Sequence, residues 1–204
     1  MSDEPYPVPA RVYRVEEVHR RSRFLTTLAH APDARAAQAF VQRVRDEHPG
    51  ATHHCWAFVA GPPGSTRAVG MSDAGEPSGT AGRPMLTVLL HGGVGEVVAV
   101  ASRWFGGTKL GTGGLARAYA SGVKLALAGL PTELKVARVE VEVVVGYPAV
   151  DALQRLLEDV EARTLEEDYG AEVRYRIELP AGQVEALAGA VAELTSGKGT
   201  VRRI

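Results

Sequence analysis

The sequence predicts an α+β protein of two domains, residues 1–132 and 133–204. Its 204 residues are long enough for two domains with real hydrophobic cores. Helical and strand-like periodicities are both present along the chain. The pattern is interrupted at Pro131 and then follows a βαββαβ order, which is the ferredoxin-like arrangement. We therefore expect a mixed first domain and a ferredoxin-like second domain.

The first domain begins with two predicted strands, at residues 12–18 and 24–28, which an arginine-rich corner joins into a hairpin. Asp33 is a favourable N-cap for a helix that continues to about Glu47. Residues 52–60 alternate between two largely apolar faces, which predicts a strand covered on both sides. The remaining elements predicted here are a return strand at 66–71, a short helix at 84–90, a buried strand at 95–101 and an alanine-rich helix at 115–128.

The second domain is predicted from the same two periodicities. Its elements are strands at 137–145, 163–168, 171–179 and 199–203, and helices at 148–160 and 182–194. The alternation of Glu140, Val141, Glu142 and Val143 is typical of a strand with one wet face. We therefore expect helices to cover only one face of this sheet.

Composition and charge exclude several classes of protein. No apolar stretch is long enough to cross a membrane, and the acidic, proline-containing N-terminus lacks the apolar segment of a signal peptide. The single cysteine, Cys55, excludes an internal disulfide, and together these features predict a cytoplasmic protein without a membrane partner. Residues 1–133 carry 14 Lys and Arg against 11 Asp and Glu, whereas residues 134–204 carry 9 against 13. The first domain is thus the better candidate for binding an anion.

Residues 102–119, SRWFGGTKLGTGGLARAY, combine five glycines with three cations around the start of a predicted helix. Glycine lacks a Cβ, so backbone N–H groups can approach a ligand closely there. Amides beside Lys and Arg side chains are what a phosphate or other anion site needs. The residues predicted to form this site are Arg103, Lys109, Gly111, Gly113, Gly114 and Arg117.

Known phosphate-binding motifs do not fit this stretch. No window matches a Walker A loop, because Lys109 precedes its glycine. The run from Gly111 to Ala116 satisfies G-x-G-x-x-A, but the acid that would bind a ribose, Glu133, follows a loop and not a strand. A general anion site at the start of a helix is therefore the better interpretation.

A second unusual run, residues 72–84 (SDAGEPSGTAGRP), supplies acids and hydroxyl groups. Asp73 and Glu76 could coordinate Mg²⁺ or act as a base, because hard cations prefer carboxylate oxygens. The structural alternative is that Asp73 caps a turn and Thr80 N-caps the following helix, with Arg83 paired to one of the acids. For the hydroxyl groups we favour the structural alternative.

His53, His54 and Cys55 raise the question of a metal site. Adjacent residues on a strand point to opposite faces, so His53 and Cys55 could share an ion but His54 could not. Two ligands, with no CxxC or HExxH elsewhere, do not predict zinc, and we expect no metal. Cys55 lies beside Trp56 on a buried strand, so we expect a core residue and not a nucleophile.

Three segments together resemble a known family. The segments are ATHHCWAF (residues 51–58), SDAGEPSGTAGRPML (residues 72–86) and SRWFGGTKLGTGGLARAY (residues 102–119). They look like the signature of the IMPACT/YigZ family, and the chain resembles a bacterial two-domain member. The sequence departs from the family at Ala74, where a second acid is usual, and at Trp104, where a tyrosine is usual. Ala74 weakens any mechanism that needs a pair of carboxylates here.

The resemblance implies a first domain like domain 2 of ribosomal protein S5, similar to domain IV of elongation factor G, and a second domain like domain V of that factor. It also implies an association with translation. We therefore expect a protein that binds RNA or the ribosome, and Trp104 or Phe105 would stack on a base. The cations expected to contact phosphates are Arg83, Arg103, Lys109 and Arg117. Neither sequence-specific DNA binding nor a cofactor is expected, and the oligomeric state is left open.

The alternative is an enzyme that acts on a nucleotide or a phosphorylated small molecule. The S5-like architecture also occurs in small-molecule kinases with a glycine-rich loop before a helix, and residues 107–116 are loosely similar to that loop. Asp73 or Glu76 would then hold Mg²⁺ or serve as the base, and these two are the only catalytic candidates. Those kinases are larger than this first domain, so we favour binding over catalysis.

Overall fold

The computed structural model describes residues 4–204, which form two compact units with mixed α/β structure. The first unit is Tyr6–Lys135, and the second contains Val136–Ile204. The division falls between Lys135 and Val136, whereas the sequence led us to expect it between residues 132 and 133.

The first unit is built on a five-stranded antiparallel sheet. Within the described residues the strands of this unit are β1 (Tyr6–Pro9), β2 (Tyr13–His19), β3 (Ser22–His30), β4 (His53–Val59), β5 (Val69–Ser72), β6 (Val97–Trp104) and β7 (Thr132–Lys135). Its helices are α1 (Ala34–Glu47), α2 (Gly82–His91) and α3 (Thr112–Gly129). The five-stranded sheet has the order β2-β3-β6-β4-β5, so β2 lies at one edge and β6 at the centre.

Apolar side chains cover both faces of this sheet. Helices α2 and α3 cover one face, where Met85 and Tyr119 belong to the same core as Cys55. Helix α1 covers the other face, where Phe40 packs with Phe58. The prediction that β4 is covered on both sides is confirmed, because its alternate residues enter two different cores. The placement of Cys55 in the core is confirmed as well.

Among the boundaries in the first unit that differ from the prediction, three lie in or next to residues 72–84 and 102–119. Strand β6 continues to Trp104 and α3 begins at Thr112, so part of the glycine-rich stretch belongs to regular elements. The N-cap of α2 is Ala81, and the prediction of Thr80 is wrong. The Thr80 hydroxyl instead donates to the carbonyl oxygen of Pro77 at 2.6 Å, which closes the turn before the helix.

Strands β1 and β7 form a two-stranded ribbon that the sequence did not predict. Tyr6 pairs with Lys135, and both side chains donate to Oε1 of Glu96, at 3.0 and 2.5 Å. Nε2 of His30 lies 2.7 Å from the other carboxylate oxygen. Burial tends to raise the pKa of Glu96, but these three hydrogen bonds outweigh it and hold the pKa below its ordinary value. An ionised Glu96 therefore attaches the ribbon to the main sheet.

The second unit has the predicted βαββαβ order. Its elements are β8 (Arg138–Val145), α4 (Val150–Asp159), β9 (Arg163–Tyr169), β10 (Val173–Pro180), α5 (Val184–Leu194) and β11 (Thr200–Arg203). The strands form an antiparallel sheet in the order β11-β8-β10-β9. Leu153 of α4 and Leu187 of α5 belong to one core with Tyr175 of β10. Charged pairs such as Arg176–Glu140 stay exposed, which confirms a sheet with one wet face.

Candidate functional site

Residues 72–84 and residues 102–119 meet inside the first unit through a buried ion pair. The Arg103 guanidinium, near the end of β6, donates to Oε1 of Glu76 at 2.6 Å. The Tyr119 hydroxyl on α3 donates to the same oxygen at 2.7 Å. Arg103 also donates to Oγ of Ser22 at 3.2 Å. This cluster therefore connects β3, β6 and α3 to the loop that precedes α2.

The burial of this cluster corrects the expected roles of two residues. Glu76 and Arg103 are only 9% and 5% exposed. Arg103 is not placed to contact a phosphate at the surface, because its guanidinium is buried and bound to a carboxylate. Glu76 is occupied by Arg103 and Tyr119 and compensates the charge that the arginine brings into the core. The pair therefore belongs to the folded core, where loss of either partner would leave a buried group unpaired.

Asp73 has a structural role in the same loop. Its Oδ1 accepts the backbone N–H groups of Ala81 and Gly82, both at 2.9 Å, and its Oδ2 accepts that of Gly79 at 2.8 Å. Burial tends to raise the pKa of Asp73, but the three backbone hydrogen bonds outweigh it and hold the pKa below its ordinary value. Asp73 thus caps the start of α2, whose own N-cap residue, Ala81, has no side-chain hydrogen bond.

Trp104 points to the opposite side of the sheet from Arg103, because successive strand residues alternate. The Arg23 guanidinium lies over the indole, 3.7 Å from the ring centroid. His48 meets the same ring edge-on, with the centroids 5.7 Å apart. The expectation that Trp104 itself stacks on a base therefore needs correction, because Arg23 covers a face of the indole.

An open groove of about 600 Å³ lies between the β2–β3 hairpin and the N-terminal half of α3. We call it the hairpin groove. The residues that line it are Val18, His19, Arg20, Leu110, Gly114, Arg117, Ala118 and Ser121. Arg20 and Arg117 are exposed, and within residues 4–204 neither has an ion-pair partner. The hairpin groove therefore offers two available cations beside the glycine-rich stretch.

The turn of the hairpin consists of Arg20 and Arg21, with φ angles of 45° and 69°. Positive φ at both central residues of such a turn normally selects Asn and Gly, so two arginines here store backbone strain. Gly106 packs against this turn, because a Cβ at that position would lie 1.9 Å from the Arg21 carbonyl oxygen. The first part of the glycine-rich stretch thus packs against the hairpin turn, and both arginines remain exposed.

The start of α3 supplies the predicted backbone amides. Its N-cap is Gly111, with φ of 75°, which has no side chain to cap the helix. The first turn contains no acid, and Nη1 of Arg117 lies 3.6 Å from the point where a Cβ of Gly113 would stand. A cation beside a helix N-terminus is unfavourable in the field of the helix dipole, unless an anion binds between them. This end of α3 therefore combines backbone amides with a nearby cation, and no acid in the first turn offsets the positive charge.

The remaining predicted site residues are spread more widely. Gly111, Gly113, Gly114 and Arg117 lie together at the start of α3. Lys109 is exposed in the loop just before this helix. Arg83 is exposed near the start of α2 and does not line the hairpin groove.

The histidines and the cysteine of β4 form local hydrogen bonds. Burial raises the pKa of Cys55 to about 12, and its thiol donates to the Asp73 carbonyl at 2.9 Å. Nδ1 of His53 lies 3.0 Å from the Ala74 carbonyl oxygen, and Nδ1 of His54 lies 2.9 Å from a serine hydroxyl on β6. In the described part of the chain, no group of three or more His, Cys, Asp or Glu is arranged to hold a metal ion. These contacts fix β4 and the loop that carries Asp73.

Sequence reasoning missed Arg20, which lines the hairpin groove, and Arg21 beside it in the turn. A signal was present, because three arginines fall within residues 20–23 at the corner between two strands. The register in which His19 pairs with Ser22 leaves only these two arginines in the turn. A two-residue turn at the edge of a sheet exposes both side chains, so the cluster could have been added to the predicted anion site.

The fold is that of a two-unit α/β protein, and the hairpin groove in the first unit is its candidate anion site. No helix within residues 4–204 is both long and apolar enough to span a membrane. The Impact N-terminal domain matches residues 20–127, and the domain of unknown function DUF1949 matches residues 143–198. The chain belongs to the IMPACT family.

Several relatives align along nearly the whole chain. IMPACT family member YigZ of Escherichia coli K12 is 43% identical over 194 residues, which cover 95% of each chain. An IMPACT family member of Haemophilus influenzae is 39% identical over 193 residues, which cover 95% of this chain and 94% of the relative. A crystal structure described as that of an hypothetical protein shares 42% identity, a TM-score of 0.73 and 98% coverage of both chains. The resemblance drawn from three short segments is thus confirmed for the family.

Proposed function

We propose that this protein is a cytoplasmic, translation-associated factor that binds RNA, free or within the ribosome, through the hairpin groove. The observation that carries the proposal is that Arg20 and Arg117, without ion-pair partners in residues 4–204, flank this groove beside the uncapped start of α3. Guanidinium groups and helix N-terminal amides both bind phosphate oxygens. The exposed Lys109 and the amides of Gly113 and Gly114 would extend the same site.

We infer that the first unit resembles domain 2 of ribosomal protein S5, and that the second is ferredoxin-like, as in domain V of elongation factor G. The βαββαβ order and the sheet order β11-β8-β10-β9 support the second assignment. Fold likeness alone does not determine function, so the proposal rests on the hairpin groove.

The contacts of two carboxylates support binding over catalysis on a nucleotide. A kinase-like reaction would need Asp73 or Glu76 to hold Mg²⁺ or to act as a base. Both oxygens of Asp73 accept backbone hydrogen bonds, and Glu76 is paired with Arg103 in the core. The groups that the hairpin groove offers to a ligand are cations and backbone amides, and both bind the phosphates of a nucleic-acid backbone.

The variant Arg20→Ala/Arg117→Ala tests the proposal. Fluorescence anisotropy with a labelled oligouridylate of about 12 nucleotides would measure affinity at several salt concentrations. We expect affinity to fall at least about tenfold, because two charge-assisted contacts are lost. The slope of log K against log[salt] should weaken by about 1.4, since each phosphate contact on a single strand contributes about 0.7.

Arg67→Ala, at an exposed arginine in the loop before β5, is the matched control and should leave both quantities unchanged. If Arg20→Ala/Arg117→Ala binds with unaltered affinity and salt dependence, the hairpin groove is not the RNA site. Calorimetry with Mg·ATP and Mg·GTP tests the enzymatic alternative on the same preparation. Nucleotide binding with turnover, in a protein that does not bind RNA, would overturn the proposal.

A further inference from the structure

Strand β2 forms the sheet edge beside the hairpin groove, and its far end carries a second group of cations. A second groove of about 470 Å³ is lined there by Arg11, Val12, Tyr13, Arg14, Arg43 and Glu47. Arg14 is paired with Glu47, whereas Arg11 and Arg43 have no ion-pair partner within residues 4–204. The second groove therefore keeps an excess of positive charge.

Two guanidinium groups near this edge lie over aromatic rings. Arg23 lies over Trp104 at 3.7 Å from the ring centroid, and Arg43 lies over Phe40 at 4.6 Å. Both arginines are exposed, and Arg23 also donates to Oε2 of Glu16 at 3.4 Å. Unpaired bases stack on guanidinium planes as they do on aromatic rings. Because the ring below already fixes each guanidinium, a base that stacks on it meets a preorganised surface.

The two stacked arginines lie on the same side of the sheet. Arg23 pairs across the strands with Val18 and Trp104, so all three side chains share one face. Trp104 contacts His48 at the end of α1, and Arg43 belongs to α1, which packs on that face. A rise of about 3.3 Å per residue separates the ends of β2 by about 20 Å. One nucleotide cannot bridge this distance, but a short single strand can.

We propose, on the basis of the RNA-binding function above, that single-stranded RNA leaves the hairpin groove on the α3 side of the sheet, passes around the β2 edge and continues along β2 to the second groove on the α1 side. Its bases stack on Arg23 and Arg43, and Arg11 contacts one of its phosphates. The path requires unpaired bases. In a duplex each base is stacked between its neighbours, so its face is not available to a guanidinium group. Its length fits the roughly 4–16 nucleotides that single-strand binding modules cover.

The full-length variant Arg11→Ala/Arg43→Ala tests the path with oligouridylates of about 4 and about 12 nucleotides. Affinity for the longer strand should fall at least about fivefold, and its salt slope should weaken by about 0.7, since Arg11 is the only one of the two that contacts a phosphate. Affinity for the shorter strand, which the hairpin groove alone can hold, should not change. Arg35→Ala, at an exposed position in the first turn of α1, is the matched control. Thermal unfolding verifies that each variant is folded.

An unchanged affinity of Arg11→Ala/Arg43→Ala for the longer strand would overturn the path. It would leave the hairpin groove intact as a site, because Arg20→Ala/Arg117→Ala is expected to weaken both lengths equally. A duplex that binds as tightly as the single strand of equal length would also overturn the path. If the unaltered protein binds neither strand, the proposed function itself fails. Should the double variant unfold, Arg11→Ala alone provides the same comparison, because Arg11 contacts no ring.

Discussion

Replacing Glu76 with alanine is expected to lower the free energy of unfolding by about 3–5 kcal/mol. The substitution leaves the Arg103 guanidinium buried without its carboxylate, and an unpaired buried charge is strongly destabilising. It also removes the acceptor of the Tyr119 hydroxyl. Urea denaturation followed by circular dichroism would measure the difference from the unaltered protein.

The double variant Glu76→Leu/Arg103→Met shows how much of the stability loss comes from the unpaired charge and how much from lost packing. Replacing both partners of a buried pair by apolar residues of similar volume is often close to neutral, so this variant should be more stable than Glu76→Ala. Tyr119→Phe should cost about 1 kcal/mol, since one hydrogen bond is lost. A loss of less than about 1 kcal/mol in Glu76→Ala, the range of exposed ion pairs, would contradict the structural role of the cluster.

Asp73→Ala is expected to cost about 3 kcal/mol, because three backbone N–H groups lose a charged acceptor. Two of these groups, at Ala81 and Gly82, belong to buried residues at the start of α2. No other side chain caps that end within the described residues, so the first turn of the helix should also loosen. Urea denaturation gives the stability, and amide hydrogen exchange in α2 reports the loosening.

The pH dependence of stability gives an independent test of Asp73. Its pKa is lower in the folded chain than the ordinary value of 3.8, so the ionised carboxylate stabilises the fold fully above that value. This contribution is lost as the pH falls through the lowered pKa. Between about pH 5 and pH 2, the unfolding free energy of Asp73→Asn should therefore fall less steeply than that of the unaltered protein. Parallel profiles would show that Asp73 does not cap α2.

Much of the architecture could be predicted because its signals are local. Asp33 accepts the backbone N–H of Ala36 at 2.7 Å and begins α1 at the predicted position. The glycines of the family signature have steric reasons, which depend on contacts with other parts of the chain. A Cβ on Gly82 would lie 2.9 Å from the backbone of Ser72, and one on Gly106 would lie 1.9 Å from the backbone of the hairpin turn. Such collisions explain why these glycines occur where the chain packs so closely.

The assignment of site residues depended on contacts that no local pattern contains. A cluster of glycines and cations does not indicate which cation turns inward, and Arg103 does so because β6 extends past it. Its neighbour Trp104 then faces the other side and meets Arg23, which is distant in the sequence. The β1–β7 ribbon was missed for a similar reason. Its first strand, Tyr6–Pro9, contains two prolines, and its partner comes from the opposite end of the unit.

Hydrogen–deuterium exchange with and without a bound oligouridylate is the most direct measurement of the central claim. We predict that RNA slows exchange in the β2–β3 hairpin at residues 18–23 and at the start of α3 at residues 110–121, because these segments line the hairpin groove. Exchange in β9, at the edge of the other unit, should remain unchanged. RNA that binds without protecting either segment of the hairpin groove would contradict the claim.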